Sequence, residues 1–191
     1  MTLSLDDRSR LLDKITGWPG LGATPAHSLE QRRAYAQIAM PNDPEPTALA
    51  SLPTMSGCLL VAMGWLRAAG VRHPLLDAPY QIGQACPWLT KIARDLGALR
   101  DPKDGCNPLP GDVIVIGAEI HGFIVTSYTA LDGKMTSIDG GQGARGAAIE
   151  WRERRFGWNE STQKYWTWEG PNLDRRGRYV VEWIDLGAML P

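Results

Sequence analysis

Apolar residues crowd one segment of this chain on every side. The run Cys58-Leu59-Leu60-Val61-Ala62-Met63-Gly64-Trp65-Leu66-Arg67-Ala68-Ala69 predicts a helix over 57–69 that is buried all round, because a surface helix would keep a polar face. Gly70 supplies its stop. Upstream, apolar residues at Leu5, Leu11, Leu12 and Ile15 predict a short amphipathic helix. Ser28 followed by Gln31 has the spacing of a capping box and opens a helix to about Met40. Pro41, Pro44, Pro46 and Pro53 then predict a stiff connector without regular structure. Asp77-Ala78-Pro79 is read as the opening of another helix, broken near Pro87 and ending near Leu96, and 101–110 as a turn-rich loop.

Beyond Pro110 the period changes from helical to extended. Strands are predicted at 113–116, 122–128, 134–138 and 179–184, with one or two more between 146 and 168. Leu131-Asp132-Gly133-Lys134 is a hairpin turn, since Asp-Gly tolerates the positive φ that tight turns need. Helices first and antiparallel strands afterwards make the expected class α+β. Residues 1–53 read as a helical arm with its Pro-rich connector, and 54–191 as the main domain, a buried central helix packed on an antiparallel sheet.

Composition narrows the classes. The 191 residues are 43% hydrophobic and 21% charged, with a net charge of −1. No basic field exists to hold a polyanion, so no nucleic-acid partner is expected. The longest apolar run is interrupted and too short to span a bilayer, so no membrane insertion is expected. The N-terminus carries Asp6, Asp7, Arg8 and Arg10 where a signal peptide needs an apolar stretch. Synthesis in the cytoplasm without a signal peptide is therefore expected, and any delivery to the periplasm or cell wall would use a non-Sec route. Three cysteines, without a CxxC pair, do not suggest a disulfide framework or zinc.

The chemistry concentrates on a few residues. Ser56 is the expected N-cap of the central helix, which places Cys58 in its first turn. Backbone N–H groups there lower a thiol pKa and bind an oxyanion. The alternative is that Cys58 is simply a core thiol. His121 begins a strand, where its imidazole could reach a facing helix N-terminus. The next strand, running back through the hairpin, ends in Asp139-Gly140-Gly141-Gln142. An acceptor there would fix the imidazole tautomer, as a triad requires. Asp139 is preferred for that role, with Gln142 and Ser56 as accessory candidates. His27 and His73 read as capping or surface residues, Cys86 as buried in a helix and Cys106 as a loop thiol. The tryptophans of the C-terminal third are expected to cover an open sheet face, and Trp151-Arg152-Glu153-Arg154-Arg155 to be a solvated segment.

Cys58 on a helix, Pro110-Gly111-Asp112 before a strand, then the His121 strand, a hairpin and Asp139 resemble the layout of the NlpC-type and CHAP (cysteine, histidine-dependent amidohydrolase/peptidase) superfamily over about Ser56 to Gln142. The resemblance implies a papain-like α+β core and hydrolysis of peptidoglycan amide bonds, by a phage lysis enzyme or a secreted antibacterial effector. Cys58 would be nucleophile, His121 general base and acid, and Asp139 the orienting residue. No cofactor or metal is implied. The partners implied are a peptidoglycan stem peptide or other peptide substrate and, for an effector, an immunity or inhibitor protein. Two other readings stand beside it. One is a cytoplasmic thiol protease, deamidase or acyltransferase, and the other a non-catalytic binding or phage-structural module.

Overall fold

A computed structural model describes residues 3–54, 57–81, 84–101, 107–117, 121–142, 148–169 and 177–190. Six α-helices are described: α1 (Leu5–Leu12), α2 (Leu29–Ala39), α3 (Glu45–Ser51), α4 (Cys58–Ala69), α5 (Ala85–Asp95) and α6 (Leu186–Met189). The strands are β1 (Leu99–Arg100), β2 (Val113–Ile116), β3 (His121–Thr129), β4 (Lys134–Gln142), β5 (Ala148–Asn159), β6 (Lys164–Glu169) and β7 (Arg178–Ile184).

The helices form for local reasons. Ser28 and Gln31 make the reciprocal capping box that opens α2. Gly70 closes α4 in the left-handed conformation, at φ +97°. The proline connector corrects the expectation drawn from it. Helix α3 occupies 45–51, with Pro44 at its N-cap and Pro46 in its first turn. A missing N–H is harmless there, since no carbonyl lies behind to receive it. Helix α5 likewise begins only at Ala85 and carries Pro87 in its first turn rather than at a break.

The papain-like core, a helix packed on an open sheet, is not what the chain forms. The sheet order is β1-β7-β2-β3-β4-β5-β6, and β6 also pairs with β7. Six antiparallel strands, β2 to β7, therefore close into a barrel, with β1 appended outside β7. Trp166 pairs with Tyr179 and Thr167 with Arg178 at the seam. Bulges at Val115/Ile116, Val125/Ser127 and Asp139/Gln142 help to coil the sheet far enough to meet itself.

Closure gives the sheet two dry faces. Ile114, Ile116, Phe123, Val125, Met135, Phe156 and Val180 fill the interior. Val113, Val115, Ile124, Ile138, Ile149 and Ile184 point the other way and pack with the helices in a second, larger core. Helix α4 lies on the outer wall at β3 and β4. Two glycines let it approach. A Cβ at Gly122 would come within 2.5 Å of Leu59, and one at Gly140 within 2.6 Å of Val61 and 3.0 Å of the Gly57 carbonyl. The tryptophans do not roof an open face, because none remains. Trp183 is buried and donates from Nε1 to Asp112 at 2.9 Å. Trp166 stacks on Trp168, and Trp151 and Trp158 stay exposed.

Helix α1 is pinned to the barrel by charge. Buried Arg8 donates to Asp112 at 2.7 Å, to Asp185 at 2.8 Å and to the Pro110 carbonyl at 3.0 Å.

Candidate functional site

The N-cap of α4 is Gly57, so Cys58 is the first helical residue. Ser56, expected as the cap, lies outside the described residues. Gly122 and Gly140 draw this end of α4 against the barrel rim where β3 begins. His121 is the first residue of β3. Its Nε2 lies 2.8 Å from Asp139 Oδ2 on β4, and its ring is hydrogen-bonded to the Cys58 side chain. With Nε2 engaged by the carboxylate, Nδ1 is the nitrogen left to face sulfur. The three residues named from the sequence thus stand in one chain of contacts: thiol, imidazole, carboxylate.

A register shift sets this up. Thr129 pairs with Lys134 and Ser127 with Thr136. Along β4, Met135, Ser137 and Asp139 fall on the inner face by simple alternation; continued unbroken, the pairing would put Asp139 opposite Ile124 and turn Phe123 and His121 to the helix-facing side of the sheet. The bulge between Val125 and Ser127 slips the register by one, so Asp139 pairs with Phe123. A one-residue slip turns a side chain to the other face. The extra residue is in β3, so Phe123 and His121 turn inward, onto the face that Asp139 already occupies. Gln142 pairs with Ala148 beyond a further irregularity, and its side chain is outside the described set.

Inside the barrel Asp139 is fully buried. Its Oδ1 accepts from Ser137 Oγ at 2.5 Å, and its Oδ2 also receives Arg154 Nη2. Arg154 donates from Nε to Ser137 Oγ at 3.1 Å, and its guanidinium sits 4.4 Å above the Phe123 ring centroid. Arg154 is 3% exposed, which corrects the reading of 151–155 as a solvated segment at that residue, while Trp151 and Glu153 are exposed and Arg152 and Arg155 half-buried. The sequence carried a faint signal. Arg154 and Phe156 are two apart and share a strand face, but nothing local says that this face is the inside of a barrel.

The charges follow from these contacts. Burial works to raise the Asp139 pKa, but the Arg154 charge and the His121 hydrogen bond outweigh it and hold the carboxyl below its usual range. Burial works to lower the His121 pKa. Hydrogen bonds to Asp139 and Cys58, with their charges, outweigh it and raise the imidazole to about 9. An imidazole held protonated at neutral pH between a carboxylate and a thiol favours a thiolate–imidazolium pair. Cys58 itself is 3% exposed and the His121 side chain 12%.

Residues 55–56, 118–120 and 143–147 adjoin the three groups in sequence and lie outside the described residues, as does Cys106. Half-buried Cys86 on α5 has its pKa raised by burial and by Glu182. His73 accepts from the Leu75 amide and pairs with Asp95, while His27 meets Thr24. Among the described residues no cluster of three His, Cys, Asp or Glu could hold a metal ion, and no helix is long and apolar enough to cross a membrane.

Comparison of the chain with protein-family models, curated proteins and solved structures found no match.

Proposed function

We propose that the protein is a cysteine amidohydrolase in which Cys58 is the nucleophile, His121 the proton carrier and Asp139 the group that orients and charges the imidazole. The observation that supports it is the contact chain itself. Nε2 of His121 is 2.8 Å from Asp139 Oδ2, and the same ring meets the Cys58 side chain. The order of roles follows from chemistry. The Cys58 thiolate attacks an amide carbonyl, and the first-turn amides of α4 favour the oxyanion. The His121 imidazolium gives its proton to the leaving amine, and the neutral ring then takes one from the water that releases the acyl group. Asp139 keeps the ring in one orientation through both steps.

Peptidoglycan stem peptides are the first substrate class to test. That choice rests on the order of motifs in the sequence, without the papain-like core that the resemblance implied. Purified sacculi incubated with the wild type are expected to release muropeptides whose masses locate the cut amide bond, and Cys58→Ala is expected to release none. Release that survives Cys58→Ala would remove the mechanism. Absence of release with intact thiol reactivity would redirect the substrate to another peptide or acyl donor.

One observation favours a second reading. Cys58 is 3% exposed and packs with the helical core, as a non-catalytic thiol would. Iodoacetamide separates the two. A nucleophile is alkylated at Cys58 near neutral pH faster than a free cysteine, whereas a core thiol resists the reagent until the protein unfolds.

A further inference from the structure

Tyr35, on α2, is completely buried, and its hydroxyl has no hydrogen-bond partner among the described residues. Buried polar groups are almost always satisfied, and one left unpaired costs stability. A phenylalanine would fill the same space without that cost. The position of the hydroxyl says what it could serve. A Cβ added at Gly57 would overlap it, so it stands against the N-cap of α4, one residue before Cys58. The charge of Cys58 reaches it: after burial itself, the Cys58 charge is the next influence raising the phenol pKa well above its usual value. The Gly141 backbone N–H acts on the oxygen as a donor and works to lower the phenol pKa, but no acceptor is found among the described residues for the hydroxyl's own proton.

Among the described residues, titratable groups on three elements are near enough to feel the Cys58 charge. His121 on β3 is backed by Asp139, Cys86 on α5 is backed by Glu182, and Tyr35 comes from α2. His121 is the proton acceptor. Cys86, with its raised pKa, is a neutral thiol at pH 7. Tyr35 keeps its own proton at neutral pH, so it is a neutral donor beside an atom that becomes an anion.

We propose that the Tyr35 hydroxyl is a further catalytic group, donating a hydrogen bond to the Cys58 sulfur once the thiol proton has passed to His121 Nδ1. The inference rests on the reading of Cys58 as nucleophile. In the transfer the S–H bond breaks, the proton ends on the imidazole, and the tyrosine O–H bond stays intact. The hydroxyl is then unpartnered only while the thiol is neutral. Its stability cost is recovered when the charge appears. It also makes α2, part of the segment read as an accessory arm, a contributor to the site.

The test is the pH dependence of Cys58 alkylation by iodoacetamide, mapped to the residue by mass spectrometry, on the full chain. Tyr35→Phe is expected to fold with an unchanged or higher Tm, because it removes only an unpaired hydroxyl. Its alkylation midpoint is expected to rise by about one pH unit, so that Cys58 reacts about tenfold more slowly below the midpoint. Biosynthetic 3-fluorotyrosine makes the phenol a stronger donor and is expected to lower the wild-type midpoint. That arm also decides the matter should Tyr35→Phe fail to fold. Unchanged midpoints, in the variant or in the fluorinated protein, would overturn the role of Tyr35 while leaving Cys58 a nucleophile. A wild-type Cys58 that resists alkylation at every pH would instead remove the nucleophile itself, and the tyrosine's role with it.

Discussion

Two buried aspartates, Asp112 and Asp139, each meet a buried arginine, and they do different work. Asp112 collects donors from distant parts of the chain: Arg8 of α1, the Trp183 indole of β7, and the backbone amides of Leu109 and Leu186. Arg8 goes on to Asp185, itself paired with Arg100, and none of these contacts leads to a thiol or an imidazole. Asp139 collects Arg154 and Ser137 from neighbouring strand positions, and His121, which continues to a thiol. The two also differ in charge. Burial raises the Asp112 pKa despite Arg8. At Asp139, equally buried, Arg154 and His121 reverse the effect of burial and lower it. A buried ion pair alone is weak evidence for a function. What separates these two is whether the carboxylate's partners lead to a nucleophile.

The sharpest way to break the comparison is to neutralise each carboxylate. Asp139→Asn should cost about 3–5 kcal/mol, because it leaves buried Arg154 without its carboxylate, and the poorly oriented imidazole should lower hydrolysis per folded molecule by about 10³–10⁴-fold. Asp112→Asn should lower stability by about 3–5 kcal/mol, because Arg8 is left with its charge partly uncompensated, while hydrolysis per folded molecule stays at the wild-type level. Denaturant unfolding and a rate measurement on the same samples separate the two outcomes. Equal losses of hydrolysis per folded molecule in both variants would erase the distinction.

Arg154 sharpens it further. Removing the guanidinium in Arg154→Met leaves Asp139 charged, buried and without its arginine, which should cost about 3–5 kcal/mol. Arg154→Lys keeps the charge but loses the fork that reaches Asp139 and Ser137 together, so most of the stability should return. Urea midpoints for the two variants check this. An Arg154→Met protein as stable as the wild type would mean that Asp139 is not held as an anion by Arg154.

How much of this could be read from residues alone depends on how local the cause is. The capping box of α2 and the all-round burial of α4 are written in spacing. So is the antiparallel pairing of β3 with β4, because Asp132-Gly133 fixes where the chain reverses, with Gly133 at φ +66°. The pairing of His121 with Asp139 was harder. Simple counting back from the turn puts His121 on the opposite face from Asp139, and only the bulge at Val125/Ser127 turns it inward. Preferring Asp139 to Gln142 therefore had no register argument behind it. The barrel was not legible. Its closure is the pairing of β6 with β7 at Trp166 and Tyr179, and nothing in the alternation of either strand names its partner. Arg154 was lost for the same reason, since an inward arginine looks solvated until the sheet has an inside. Tyr35 was missed because it lies on a helix assigned to an arm, and only the approach of its hydroxyl to Gly57 connects it to Cys58.

The imidazole gives a smaller, pH-dependent test. His121 is raised from its unperturbed 6.5 to about 9 in the folded protein. A folded pKa above the unfolded one means that folding favours the protonated ring. The stabilisation is fully present below about pH 6.5 and is lost as pH rises through 9. Its upper size is about 3 kcal/mol, from roughly 1.36 kcal/mol for each pKa unit. Wild-type stability should decline between those two pH values, and His121→Asn should flatten that decline. A parallel decline in wild type and variant would show that His121 is not held protonated by Asp139 and Cys58.

Gly140→Ala is expected to have the smallest effect and tests placement rather than charge. The added methyl would lie 2.6 Å from Val61 and 3.0 Å from the Gly57 carbonyl, and the second of these is backbone that cannot rotate aside. The start of α4 must then retreat by a few tenths of an ångström, carrying Cys58 away from an imidazole fixed to the barrel rim. The overpacking should cost about 1–3 kcal/mol. Reactivity should fall by about tenfold or more, because catalysis is sensitive to sub-ångström misplacement of reacting groups. Gly122→Ala is the control. Its added methyl meets only the tip of Leu59 at 2.5 Å, a flexible end that can turn away, so it should fold and react close to the wild type. If both variants lost thiol reactivity equally, the approach of the helix to the barrel, and not the spacing of sulfur and imidazole, would be what the glycines protect.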